Sequence, residues 1–152
     1  MWKDQWEEEQ MQIRILDTKN DSDIRRCFRV FAHLRPHLDE TEFVRRVKVQ
    51  AAEGYNIAYI ESGEQVVAAA GYRVNHFLAW GKVLYLDDLI TDPEKKKAGY
   101  GSALLEWVAQ KGKELGCDEL HLDTGHQRHD AHRLYLKNGL NLTSHHLSKK
   151  LK

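Results

Sequence analysis

An apolar run from Lys82 to Thr91 is followed, after Pro93, by Lys95-Lys96-Lys97-Ala98-Gly99-Tyr100-Gly101-Ser102, and then by Leu104, Leu105, Val108 and Leu115 at helical spacing. Strand, short loop and helix in this order turn several backbone N–H groups toward one point at a helix N-terminus. There the helix dipole and the unpaired donors favour a phosphate. Gly99 and Gly101 leave out the Cβ atoms that would hold a pyrophosphate away from those donors, and three lysines add positive charge nearby. A Gly-x-Gly pair alone also fits a plain helix start. It is not the dinucleotide fingerprint, because Leu104 stands three residues after Gly101, and it lacks the Gly-Lys-Ser/Thr of a triphosphate loop.

The rest of the chain frames this unit. Met11 to Asp17 alternates as a short strand. Asp21 and Ser22 can cap a helix whose buried stripe is Ile24, Cys27, Phe28 and Phe31, broken over His33 to Leu38 by Pro36. Asp39 and Glu42 form a capping-box pattern before Phe43, Val44, Val47 and Ala51, and Gly54 ends that helix. The period then changes to two. Tyr55 to Ile60 and Gln65 to Val74 read as a hairpin around Gly63, and Lys82 to Thr91 as the next strand. A helix over Gly99 to Leu115, a strand over Cys117 to Thr124, a helix over Arg128 to Asn138 and a last strand, or bent pair, over Leu140 to Leu151 complete the chain. The order β-α-α-β-β-β-α-β-α-β specifies an α/β (α+β) fold with a mixed, mostly antiparallel sheet flanked by helices. Lys82 to Thr91 and Cys117 to Thr124 should be parallel, joined by a right-handed crossover.

With 152 residues the chain has the size of one domain, here residues 11–152, preceded by an acidic extension at 1–10 carrying Trp2 and Trp6. Lys plus Arg and Asp plus Glu both number 23, so no global charge recommends nucleic acid or an anionic membrane as partner. No apolar run approaches the ~20 residues of a membrane helix, and the N-terminus lacks a signal-peptide core. The two cysteines, Cys27 and Cys117, lie in apolar segments and read as buried thiols that fit a reducing cytoplasm.

Taken together, these stretches resemble the GNAT family of N-acetyltransferases. The family's cofactor signature, Arg/Gln-x-x-Gly-x-Gly/Ala after a strand, is matched by Lys96-x-x-Gly99-x-Gly101. Its second landmark, Ala, Tyr four residues later, then Gly and an apolar residue, is matched by Ala131, Tyr135, Gly139 and Leu140. The likeness runs over residues 11–151 and is nearest to a branch sharing Arg35-Pro36-His37-Leu38, Asp87-Asp88-Leu89 and Ser144-His145-His146. Two departures stand out: lysine at 96, and Arg128 where many members have an asparagine that contacts the cofactor.

The resemblance implies acetyl-coenzyme A as cosubstrate and direct attack by a primary amine in a ternary complex; that no metal takes part is expected from the spacing of the histidines. It implies that residues 96–102 (Lys96, Lys97, Ala98, Gly99, Tyr100, Gly101, Ser102) hold the pyrophosphate. Leu89, Ile90 and Thr91 would meet the pantetheine arm and acetyl carbonyl, and Tyr135 would protonate the leaving thiolate. A Tyr135 that only packs under the strand is the alternative. Asp87 and Asp88 are candidates for a water-mediated base or an ammonium anchor. In a regular strand they point to opposite faces, so one faces the site, and Asp88 then shares a face with Leu86 and Ile90. The family's bulge at this strand would upset that alternation. His37, His76 and Trp80 fall in segments flanking the family's acceptor groove. Among the nine histidines, His121, His126, His129 and His132 lack a familiar zinc spacing. The acceptor, a small molecule or a protein, is left open, as is a homodimer. The competing reading is an acyl-coenzyme A sensor on the same fold that does not turn over.

Overall fold

Period-two segments pair as the pattern requires in the computed structural model, which describes residues 11–152. Five strands, β1 (Ile13–Ile15), β2 (Asn56–Ser62), β3 (Gln65–Phe77), β4 (Gly81–Thr91) and β5 (Glu119–Leu122), form one sheet in sequential order. The first four are antiparallel to their neighbours and β5 runs parallel to β4. Helices α1 (Asp21–Leu34) and α2 (Glu40–Ala52) come before β2; α3 (Tyr100–Glu114) links β4 to β5, and α4 (His129–Lys137) follows β5. The extension read at residues 1–10 lies outside the described residues.

Alternation along the strands feeds two cores. Ala58, Ile60, Ala70, Tyr72, Leu84, Leu86 and Leu89 meet Tyr100, Leu104, Leu105 and Val108 of α3 and Tyr135 of α4. Ile57, Tyr59 and Ala69 meet Ile24, Cys27, Val30 and Phe31 of α1 and Phe43, Val44 and Val47 of α2. Leu104, Leu105 and Val108 are at most 2% exposed, and burying each such side chain contributes about 1.5–3 kcal/mol. The buried Cys27 thiol is pushed up to about 12, chiefly by burial.

Helix ends follow local chemistry. The side chain of Asn20, one residue before the predicted cap, accepts from the Ser22 and Asp23 amides, and Asp39 accepts from Glu42 as expected. After α2, α3 and α4, the amides of Gly54, Gly116 and Gly139 and of the residue after each bond back to the last turn, with each glycine at positive φ.

One predicted element is absent. Residues 140–152 form no strand, and every residue from 141 onward is exposed, including Leu142, Leu147 and Leu151. Leu140-Asn141-Leu142 begins an alternation, but Ser144-His145-His146 and Ser148-Lys149-Lys150 interrupt it and leave no continuous apolar face to pack. Among the described residues β5 is therefore an edge strand.

Candidate active site

The register between β3 and β4 steps from Gly71↔Asp88 to Tyr72↔Leu86, so Asp87 is the extra residue of a β-bulge. Leu86 and Leu89 consequently both enter the core under α3, while Ile90 packs against the core under α1 and α2. Asp87 and Asp88 both turn to the α1/α2 side, beside Tyr55. The expectation that they lie on opposite faces, and that Asp88 shares a face with Leu86, fails because the bulge uses up one residue of the alternation.

Asp88 is held from two sides. Its Oδ1 accepts from Arg35 Nε and Nη2 at 3.0 and 2.7 Å, and its Oδ2 accepts from the Tyr55 hydroxyl at 2.7 Å. Arg35 Nη2 also donates to the Asp87 carbonyl at 3.2 Å, so one guanidinium spans the bulge. Tyr55 reaches Asp88 only because residue 71 has no side chain. A Cβ there would lie 1.9 Å from the Tyr55 hydroxyl oxygen. Gly71→Ala should therefore displace Tyr55 and cost about 1–3 kcal/mol of stability, read as a lower denaturation midpoint; an unchanged midpoint would show that the phenol is not fixed there.

Asp87 Oδ2 accepts from Arg73 Nε at 2.7 Å, with both side chains under 20% exposed. Burial raises the Asp87 pKa and the Arg73 guanidinium opposes it. The β4–β5 ladder ends at Leu86↔Leu122, although β4 continues to Thr91. The strands thus part at Asp87. On the other lip, Asp123 accepts from the Tyr85 hydroxyl and pairs with His146 Nδ1 at 3.3 Å.

Beyond the split, the loop is tied down at its base. Buried Asp92 accepts from Arg29 Nη2 at 2.5 Å and from the Glu94 amide at 3.0 Å. Residues 93–99 are exposed, with Lys97 at φ 73° and Gly99 at φ 86°. A glycine suits that left-handed turn; a lysine is held in it at some cost. Among the described residues no side chain caps α3, unlike α1 and α2, and its first backbone bond runs from Ala103 to the Gly99 carbonyl. The amides of Tyr100, Gly101 and Ser102 are therefore left without an intrahelical acceptor. Tyr100 buries its ring, so it presents only backbone to the loop. A Cβ on Gly101 would lie 3.2 Å from Leu134 and 3.7 Å from Thr91 Oγ1. An uncapped helix start, a glycine where a side chain would intrude and exposed Lys95, Lys96 and Lys97 fit a pyrophosphate.

Across from this loop, Tyr135 of α4 is 6% exposed and belongs to the same core cluster as Leu89. Burial raises its phenol pKa, and the Arg128 guanidinium beside it works in the opposite direction. Arg128 Nη2 also donates to the Leu89 carbonyl at 3.4 Å.

The structure thus gathers Asp87, Asp88, Leu89, Ile90 and Thr91 on one strand segment, with residues 96–102 beyond it and Tyr135 in the core cluster that Leu89 enters. It does not bring His76 or Trp80 to that segment: both lie at the far end of the β3–β4 hairpin, where Trp80 meets His121 at 4.5 Å between centroids with the rings tilted by 45°. His37 is exposed just after α1. Among the described residues, no group of three or more His, Cys, Asp or Glu has metal-holding geometry. Sequence reasoning missed Tyr55, Arg73, Tyr85 and Asp123. Nothing local marks them, since each acts through a partner at least 14 residues away. Gly71 inside an apolar strand was the available hint, because glycine there signals a bulge or a close approach.

The model of the acetyltransferase (GNAT) family matches residues 18–140. The uncharacterized N-acetyltransferase YhdJ of Bacillus subtilis is 27% identical over 107 residues, covering 70% of this chain and 75% of that protein. The D-amino-acid N-acetyltransferase HPA3 of Saccharomyces cerevisiae is 30% identical over 108 residues, 67% of this chain and 64% of that one. Among solved structures, the aminoglycoside N-acetyltransferase AAC(6')-Iy in complex with CoA superposes with a TM-score of 0.79 at 15% identity, covering 91% of this chain and 93% of its own. The protein belongs to the GNAT family and is an acetyltransferase.

Proposed function

We propose that the protein transfers an acetyl group from acetyl-coenzyme A to the primary amine of a small molecule, by direct attack in a ternary complex. The observation that carries this is the parting of β4 from β5 after Leu86↔Leu122. It opens the β4 backbone between the uncapped, glycine-rich start of α3 and the carboxylate of Asp87. In this reading the amides of residues 97–102 take the pyrophosphate, and the backbone of Leu89 and Ile90 meets the pantetheine arm and the acetyl carbonyl. Tyr135 gives its proton to the thiolate. HPA3, named for D-amino acids, supports a small-molecule acceptor. Cys27 and Cys117 are both free thiols, which suits a reducing compartment such as the cytoplasm.

Asp87 rather than Asp88 receives the amine. Three donors occupy the two Asp88 oxygens, which makes Asp88 the anchor of the bulge. Asp87 keeps Oδ1 free of those donors and stands where the strands part. An aliphatic ammonium, with a reference pKa of about 10, must lose a proton before it can attack, and a carboxylate at the mouth attracts it and takes that proton through water. Because burial raises the Asp87 pKa, activity should climb with pH from above the usual carboxylate range as Asp87 ionises. Asp87→Asn should lower kcat/KM about 10-fold or more and remove that limb of the profile. Wild-type kinetics across the whole range would exclude Asp87 as the base.

The assay is thiol release from acetyl-coenzyme A against a panel of D-amino acids, aminoglycosides, amino sugars and polyamines. At least one amine should raise the rate well above that with acetyl-coenzyme A alone. Tight coenzyme A binding with no stimulation by any amine would favour a non-catalytic acyl-coenzyme A sensor.

A further inference from the structure

We propose that Arg128 is the electrostatic partner of Tyr135, holding the negative charge that the phenol acquires when its proton passes to the departing thiolate. This rests on the reading of Tyr135 as the acid.

Arg128 is the residue before α4 and Tyr135 stands seven residues on, two turns along the helix and on the same face. Both converge on Leu89. Arg128 Nη2 donates to its carbonyl at 3.4 Å, and Tyr135 packs in the core that Leu89 enters. From that position the guanidinium charge lowers the phenol's pKa, against the larger effect of burial. His132, between them on α4, is turned away to the Gly125 carbonyl at 2.8 Å. Among the described residues, Arg128 is the charged side chain that acts on the phenol.

The chemistry needs such a charge. As the bond between the amine nitrogen and the acetyl carbon forms, the C–S bond breaks and its electron pair stays on sulfur. The Tyr135 proton moves to that sulfur, and the phenolate later recovers a proton through water from the one the amine released. A thiol has a reference pKa of about 8.5 and a phenol of about 10, so the transfer runs uphill by roughly 1.5 units before burial acts. Burial of Tyr135 steepens it, and each further unit is a factor of ten. A guanidinium stays charged at every working pH and offers planar N–H donors to an oxyanion. The family's asparagine at this position would supply hydrogen bonds but no charge, so the arginine changes the electrostatics rather than the shape.

The test uses the full chain labelled at tyrosine Cζ, with the Tyr135 signal assigned by its loss in Tyr135→Phe. Arg128→Gln should raise the apparent Tyr135 pKa by about one unit or more, and Arg128→Lys should restore most of the difference. With the most active amine of the panel, Arg128→Gln should lower kcat about 10- to 100-fold while coenzyme A affinity by calorimetry changes less than about threefold. The loss should vanish in a Tyr135→Phe background. An unmoved Tyr135 pKa, an equal loss in that background, or weakened coenzyme A binding with kcat intact would each overturn the inference. Full activity of Tyr135→Phe would remove the acid reading itself, whereas a crippled Tyr135→Phe beside a fully active Arg128→Gln would sink only the role given to Arg128.

Discussion

Gly101→Val is expected to weaken coenzyme A binding at least about 100-fold, while Lys96→Ala stays within about threefold of wild type. The difference follows from what each residue contributes. Gly101 sits in the first turn of α3, where the amides of residues 100–102 have no intrahelical acceptor and no side chain of the described residues caps the helix. A branched side chain there keeps the phosphates away from several donors at once. Each hydrogen bond to a charged group is worth about 1.5–3 kcal/mol, so losing two exceeds a 100-fold change. Lys96 is exposed and flanked by Lys95 and Lys97, so a neighbouring charge replaces it at little cost. Valine must also push Leu134, which lies 3.2 Å from the Cβ position. A melting curve and a Leu134→Ala background therefore belong to the experiment: smaller packing at 134 should recover stability without recovering binding. Normal coenzyme A binding by Gly101→Val would show that the pyrophosphate lies elsewhere.

What could be read in advance was whatever local chemistry decides. The loop and helix start at residues 96–102, the capping by Asp39 and the glycine ends of three helices each depend on residues within one turn of each other. The strand pairs of the central sheet followed from period-two alternation with apolar residues on both faces. Leu140 to Leu151, expected as a last strand or bent pair, forms none: strand formation needs an unbroken apolar face as well as a free edge, and the histidines and lysines deny it one. The carboxylate pair was harder still. Strict alternation sends Asp87 and Asp88 to opposite faces, and only the bulge opposite Gly71, made where Tyr55 crosses under β3, puts them on one. That arrangement joins residues 35, 55, 71 and 88, and no window of sequence contains it. Arg128 was visible as a departure from the family pattern, but its consequence needed the position of Tyr135.

Tyr135→Phe should lower kcat by about 10²–10⁴ with little change in coenzyme A affinity. The ring of Tyr135 belongs to the core cluster under α3, and phenylalanine fills nearly the same volume, so the substitution removes a proton donor rather than a wall. The deleted hydroxyl matters only once the C–S bond is breaking, which is why the loss belongs to kcat and not to ground-state binding. The pH profile carries the sign. Tyr135 must be protonated to act, so the wild-type rate should fall on the alkaline side as the phenol ionises. Because burial raises its pKa by more than Arg128 lowers it, that fall should come above the range of a free tyrosine. Tyr135→Phe should lack this limb and keep the acidic limb attributed to Asp87. An acyl donor whose thiol leaves as a stable anion needs less protonation, so the penalty should shrink with it. An unchanged kcat, measured where a presteady-state burst is absent and chemistry limits turnover, would return Tyr135 to packing and leave solvent to protonate the thiolate.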